Sequence, residues 1–463
     1  MKIKKQRTWF YGSMVVMSIF LIIYGRFFYF NVNYAFDAHY YIELADSFAS
    51  DGQFSFLNFP ESIRGYALPF LYFLVKTAGN FFKIGQNGSI VILQCICIVV
   101  ASALLFPHFV SEKNRKEYDL RYLVVIILFF VWWKDLIYWA LSDLWAVYFY
   151  LVGALLLEKA FIISKNNIKK TLFSFGAGAL LYLAYNTRTI YLFAGVVAFG
   201  ILLFQNLKKK KAFWKGAVCI LIGMAAGIFF ASIPQMIINY QYLGVYSPKV
   251  FTSVGYKGGL FLKQLQWGIE MQHYDTWIGS LDIFPANAMY YRDTTGKLLL
   301  EKFGKISNYM DYVRLWLKYP LDMFGIWFKH LMNGLCLSYG QIYINTFRHR
   351  QIYIIMNYIV VYLAAVIGIY NLKIRKLTVI KQSWVAMLTT CFFISFGAVE
   401  SRFFISLFLM MYLMIAWADW RQILKWIKRN WNVFSMVFII GLGICCAVWS
   451  NTFVSTEVPI FMK

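Results

Sequence analysis

The chain has 463 residues, of which 60% are hydrophobic and only 14% charged, with a mean hydropathy of +0.59. Soluble proteins carry about 25% charged residues, so this composition excludes a soluble globular enzyme and points to a lipid bilayer. Lys plus Arg number 45 against 21 Asp plus Glu, a net charge of +24, which in a membrane protein reports sidedness before it suggests nucleic acid. The seven cysteines fall mostly inside apolar runs, and their spacing matches neither a disulfide framework nor a zinc site. They read as small core hydrophobes.

A hydrocarbon core about 30 Å thick needs roughly 20 apolar residues per helix. On that criterion the sequence predicts an all-α polytopic membrane protein with about eleven transmembrane helices, approximately over 9–30, 88–108, 121–134, 136–157, 172–185, 189–205, 212–234, 351–372, 383–398, 402–418 and 432–450. The first follows Met1-Lys-Ile-Lys-Lys-Gln-Arg7 without a small-residue cleavage site and reads as an uncleaved anchor. With the N-terminus in the cytoplasm, the basic groups Lys113/Arg115/Lys116, Lys159/Lys165/Lys169/Lys170, Lys208 to Lys211, Lys373/Arg375/Lys376/Lys381 and Arg421/Lys425/Lys428/Arg429 all fall in cytoplasmic segments. Most of the excess positive charge then reports topology and contact with anionic membrane lipids, not a nucleic-acid partner. The many Lys, Ile, Asn and Phe residues suit an AT-rich bacterial genome.

Three regions follow: an N-terminal transmembrane module over 1–234 that contains a first outer loop at 31–87, a large outer loop over 235–350, and C-terminal transmembrane helices over 351–463. The apolar run 65–82 is interrupted by Pro69, Lys76 and Gly79 and is expected as an interfacial or re-entrant helix. The stretch 319–332 reads as a second surface-lying amphipathic helix. No tandem repeat or Ser/Gly linker divides the chain.

Charges are nearly missing from the predicted span interiors, whereas a transporter would hold them near the midplane. Asp37, Arg64, Lys134/Asp135, Asp143, Arg188 and Glu400/Arg402 all lie outside the spans or near their outer ends. Asp37 suits an N-cap of an interfacial helix. His39 and Glu43, at i and i+4, read as solvated side chains or a weak metal pair. Lys134 and Asp135 read as an interfacial charge pair. Asp143 lies in the outer turn of a strongly apolar helix, where a carboxylate must be capped, paired or wet. Arg188 and Arg402 are either snorkelling anchors or phosphate ligands, for which the fixed fork of arginine is suited.

In order and context these positions resemble the GT-C superfamily of polyprenyl-phosphate-sugar-dependent glycosyltransferases, which includes protein O-mannosyltransferases and bacterial aminoarabinose transferases. Phe36-Asp37-Ala-His-Tyr40-Tyr41 followed by Ala45 resembles the family's Asp-x-x-x-Tyr-x-x-x-Ala segment. Arg64-Gly-Tyr-Ala-Leu-Pro69-Phe-Leu-Tyr72 resembles its basic-Pro-Pro-Leu-Tyr-Tyr segment with one proline kept. Leu141-Ser-Asp143-Leu is similar to its second outer acidic position, Leu183-Ala-Tyr-Asn-Thr-Arg188 to its Leu-Ala-x-Leu-Thr-Lys turn, and Glu400-Ser-Arg402-Phe-Phe to its late Arg-Tyr turn. Where the family has an Asp-Glu pair, this chain has Asp37-Ala38.

The resemblance implies transfer of a sugar from a polyprenyl-phosphate donor to a cell-envelope acceptor hydroxyl on a glycan, lipid or protein, at the outer face and with no nucleotide. Asp37 would be the catalytic general base. Arg64, Arg188 and Arg402 would bind the donor phosphate, and Asp143 would serve as a second acidic residue facing acceptor or metal. Asp37 and Asp143 could hold a divalent cation, Mg or Mn. Two alternatives stay open: a lipid-linked polysaccharide polymerase or ligase working through Arg292, Arg314, Arg348 and Arg350, and a lipid-linked-sugar flippase.

Overall fold

The computed structural model describes residues 2–110, 118–162, 166–207, 212–253, 256–278, 287–344, 351–373 and 381–432, with 435–436, 438, 440–441 and 460–461 beyond them. The chain is mostly helical. Its first part forms α1 (Lys2–Phe28), α2 (Phe36–Ser47), α3 (Ala67–Phe81), α4 (Gln86–Val100), α5 (Tyr122–Tyr138), α6 (Asp143–Ile162), α7 (Asn167–Thr187), α8 (Tyr191–Leu207) and α9 (Ala212–Leu243). A segment with α10 (Leu260–Glu270), α11 (Thr294–Phe303), α12 (Tyr309–Lys318) and α13 (Pro320–Gly334) follows, and the chain ends with α14 (Gln351–Lys373), α15 (Gln382–Ile394), α16 (Ile405–Ala416) and α17 (Trp420–Arg429).

Among the described residues, five helical stretches are long and apolar enough to cross a membrane: Lys5–Phe28, Asn87–Phe109, Asp143–Ile162, Gly216–Leu243 and Gln351–Asn371. A sixth arises if α16 and α17, bent by 87° from one another, count as one span. Every expected span before the last overlaps a helix, but only these five or six qualify as spans, fewer than the eleven expected, because the others are too short or too polar alone. The last, 432–450, lies largely outside the described residues. One boundary moves in an informative way, because residues 139–142 are not helical and α6 begins only at Asp143. That carboxylate therefore stands at a helix start, where the unpaired N–H groups favour a negative charge.

The expected outer segments are ordered. α3 packs on both α2 and α4, and Lys76, buried in α3, pairs with Asp46 of α2. α13 covers the predicted amphipathic stretch 319–332. α9 runs on through Leu243, so the long segment starts beyond it and not at 235. Not announced by the hydrophobic pattern is a small sheet of order β3-β1-β2-β4, in which β1 (Met271–Trp277), β2 (Asn287–Arg292) and β3 (Tyr343–Ile344) come from this segment and β4 (Ile460–Phe461) from beyond α17. β1 pairs antiparallel with β2 and parallel with β3.

Close helix packing comes from small residues. A Cβ on Gly178 of α7 would collide with Met224 of α9, and one on Gly227 with the backbone of Phe175, so the two helices approach at backbone distance as small residues permit in membranes. The main core gathers Trp133, Tyr138, Trp384 and Tyr412. At Trp133 α5 departs from helical geometry (φ −121°, ψ 17°), and its indole N–H donates to Tyr412 Oη at 2.9 Å.

Candidate functional site

The residues singled out in the sequence meet at one end of the bundle. α6 starts there with Asp143, α7 ends there just before Arg188, and a 3-10 turn (Ser401–Phe404) leads into α16. Arg64 Nη2 donates to Asp37 Oδ1 at 2.8 Å, and Arg402 Nη2 donates to Asp37 Oδ2 at 2.7 Å. Arg188 pairs with Asp143 Oδ1. Arg402 Nε donates to Glu400 Oε2 at 2.7 Å, while its Nη1 lies 3.9 Å from Asp143 Oδ2. Three guanidinium groups thus face three carboxylates. Arg188 and Arg402 also share the ring of Phe403, at 4.9 and 5.6 Å from its centroid.

Asp37 is not the N-cap expected for it. Ala35 holds the cap position without a side-chain bond, and Asp37 lies in the first turn with both oxygens given to arginines. The preceding Phe36 has φ +49°, a left-handed conformation that costs free energy for an aromatic residue and sits next to the cluster. Burial pushes the Asp37 carboxyl up, but Arg64 and then Arg402 outweigh it and hold the group well below the usual carboxylate range. Glu400 goes the other way: burial raises it, with Arg402 opposing. Access differs too. The side chains of Asp37 and Arg64 are 29% and 25% exposed, whereas that of Asp143 is sealed at 0%.

A ladder of buried amides holds Arg64 in place. The N–H of Ala67 donates to Asn186 Oδ1 at 2.8 Å, Asn186 Nδ2 to Gln235 Oε1 at 2.9 Å, and Gln235 Nε2 to Asn239 Oδ1 at 3.0 Å. Asn239 then donates to the carbonyls of Ser247 and Lys249. Gly65 lies so close to Asn186 that a Cβ would overlap its carbonyl oxygen and its amide.

The long segment closes the site from the other side. β1 runs beside Val399, with Tyr274 N–H donating to the Val399 carbonyl at 2.9 Å, and Thr276 Oγ1 donates to Glu400 Oε1 at 3.1 Å. Tyr343 of β3 brings its ring to 5.9 Å from Arg402, and Tyr41 lies 5.7 Å from Arg64. His330 of α13 fixes the segment to the bundle, its ring nitrogens 2.8 and 3.0 Å from the carbonyls of Ser395 and Met271. Asp135 is buried and accepts from Tyr29 Oη at 3.0 Å and Ile342 N–H at 2.8 Å. It anchors β3, in place of the surface pair with Lys134 that the sequence suggested.

Several buried atoms around the cluster have no hydrogen-bond partner among the described residues: Tyr41 Oη, Tyr343 Oη, Arg64 Nε and Asp143 Oδ2. Three are or can be donors and one is an acceptor, an imbalance that suits an acceptor-rich, anionic ligand. Tyr41 was legible only as the tyrosine of the segment Asp37-x-x-x-Tyr41-x-x-x-Ala45, and Tyr343 was not legible, since it falls in a stretch without a pattern. Asn186, Gln235 and Asn239 did carry a signal, as amides within otherwise apolar helices.

Other expected residues stay apart. His39 and Glu43 form an exposed pair at 3.0 Å. Arg292 is exposed, and Arg314 is exposed beside Asp311; Arg348 and Arg350 lie outside the described residues. Arg402 itself spans the space between Asp37 and Asp143, where a shared Mg or Mn would have to sit, and among the described residues no group of three or more His, Cys, Asp or Glu is placed to hold a metal ion. In this arrangement the donor set does not fit a cation bridging the two aspartates.

Comparison with family models, curated proteins and solved structures finds no match for the chain.

Proposed function

We propose that this membrane protein is a glycosyltransferase of the GT-C type, which takes a sugar from a polyprenyl-phosphate donor and passes it to a hydroxyl of a cell-envelope acceptor. The observation that carries the reading is the meeting of Asp37, Asp143, Arg64, Arg188 and Arg402, from five separate stretches of chain, in one partly open cluster. On the positive-inside assignment read from the sequence, with the N-terminus inside, the cluster falls at the outer face.

In the resting cluster every arginine is committed to a carboxylate. A donor phosphate draws Arg64 and Arg402 toward its own oxygens, and Asp37, relieved of two cations, regains the basicity of an ordinary carboxylate. Asp37 then accepts the proton of the acceptor hydroxyl while that oxygen bonds to the anomeric carbon. The bond from that carbon to the phosphate oxygen breaks, and the electron pair leaves with the polyprenyl phosphate. The arginines stabilise the departing phosphate; a positioned donor of this kind is worth on the order of 2.7–4 kcal/mol in the transition state. Asp143, sealed from solvent, stays paired to Arg188 and holds that guanidinium at the site. No nucleotide takes part, and the positive charge comes from the arginines.

The test uses purified full-length protein in lipid nanodiscs, a polyprenyl-phosphate sugar labelled in the sugar, and an envelope fraction as acceptor. Label appearing in the acceptor, and lost with Asp37→Asn, supports the reading. Label that stays on the lipid with wild-type protein overturns it.

A further inference from the structure

At the end of the bundle away from the cluster, α16 breaks at residues 417–419 and α17 leaves it at 87°. α16 runs away from Arg402, and its 12 residues put the break about 18 Å from the site at 1.5 Å per residue. Turned through nearly a right angle, α17 does not continue the line of α16 but lies across it.

One side of α17 is already taken. Ile423 is buried, and Trp420, Trp426 and Ile427 pack with it against Val366, Ile367 and Tyr370 of α14. Tyr370 Oη donates to Gln422 Oε1 at 3.0 Å, and its ring meets that of Trp426 edge-on. Asp419, the acidic residue at this helix, is spent on its cap, accepting from Gln422 N–H. The other side carries Arg421, Lys425, Lys428 and Arg429, all exposed, with Leu424 54% exposed among them. Sidedness alone would be served by four charges anywhere in this stretch. Here they are fixed on the outward face of a rigid helix that the bundle holds broadside, with an apolar side chain between them at the depth where headgroups meet acyl chains.

We infer that the outward face of α17 is a docking surface for anionic lipid headgroups, with Arg421, Lys425, Lys428 and Arg429 as its ligands and Leu424 inserted beside them. The inference is independent of the glycosyltransferase reading. Each basic side chain at an anionic surface contributes roughly fivefold in affinity, so four held together discriminate strongly between anionic and zwitterionic lipid. The attraction is electrostatic and falls with salt.

The experiment follows thermal unfolding of the full-length protein in a neutral detergent, titrated with phosphatidylglycerol or phosphatidylcholine. Phosphatidylglycerol should raise the wild-type melting temperature by several degrees, phosphatidylcholine should not, and salt should erase the gain. The variant R421Q/K425Q/K428Q/R429Q should melt like wild type without lipid, since these side chains are exposed, and lose most of the increment. Neutralising Lys297, Lys302, Lys305 and Lys318, exposed on the long segment, should leave it intact. An increment kept in full by the α17 variant overturns the inference. So does no increment in wild type, which would reassign the face to an acidic protein partner.

Discussion

Arg402 and Asp37 stand 365 positions apart in the chain, yet Nη2 and Oδ2 meet at 2.7 Å. The same guanidinium reaches Glu400 through Nε, so one planar fork serves two carboxylates from different directions. A lysine offers a single point of charge and cannot do both.

Arg402→Ala should therefore leave Asp37 short of one partner and Glu400 buried without its cation. Breaking a buried pair in this way costs roughly 3–5 kcal/mol. Arg402→Lys should recover only part of the melting temperature and little sugar transfer. Parallel melts and transfer assays of the two variants check this, and full rescue by lysine would contradict the two-carboxylate role.

For Asp37 the sign of the pH effect follows from its depressed pKa. The carboxylate contributes stability that is fully present above the ordinary range of about 4 and is lost as pH falls toward the lower folded value. Asp37→Asn lacks that contribution. The melting temperature of wild type should exceed that of the variant at neutral pH, and the gap should close below about pH 4. In transfer assays the variant should lose on the order of 10²–10⁴ in turnover, the usual range for a missing general base, while still binding donor lipid.

Gly65→Ala tests the amide ladder. The added methyl cannot coexist with Asn186 as placed, so the Arg64 segment must shift, at a cost of roughly 1–3 kcal/mol for overpacking. Weakened donor binding should accompany the lost stability, because Arg64 moves with its neighbour. Binding measured on folded variant protein distinguishes this displacement from simple unfolding.

Tyr343→Phe removes a hydroxyl that has no hydrogen-bond partner among the described residues while keeping the ring packed against Trp139, 4.8 Å between centroids. Deleting an unsatisfied buried group should leave stability unchanged or raise it slightly. Binding of a polyprenyl phosphate should nevertheless weaken by about tenfold, the effect of one hydrogen bond to a charged group. Opposite signs in melting and binding are the expected signature; a fall in both would mean the hydroxyl is structural.

The helices were legible because apolar runs of sufficient length have few other uses, and the site residues were legible because charge at the edge of such a run demands a partner. Asp37, Arg64, Asp143, Arg188 and Arg402 all met that condition. What the sequence withheld was pairing. Nothing near Asp135 announces that its partners are Tyr29 and Ile342, and nothing in the two-residue β3 marks it as a strand, because a short strand has too few positions for alternation to register. Tyr343 escaped notice for the same reason: it gains its place only when β1 lies beside both Val399 and β3.

The equality of three arginines and three carboxylates has a consequence for selectivity. Chloride or inorganic phosphate drifting past finds no idle cation and must break an existing contact to gain a new one. A molecule tethered by a long hydrocarbon tail arrives at high local concentration and can displace those contacts repeatedly until it succeeds. On the glycosyltransferase reading proposed above, the cluster acts as a latch that dissolved salts leave shut and a membrane-borne anion opens.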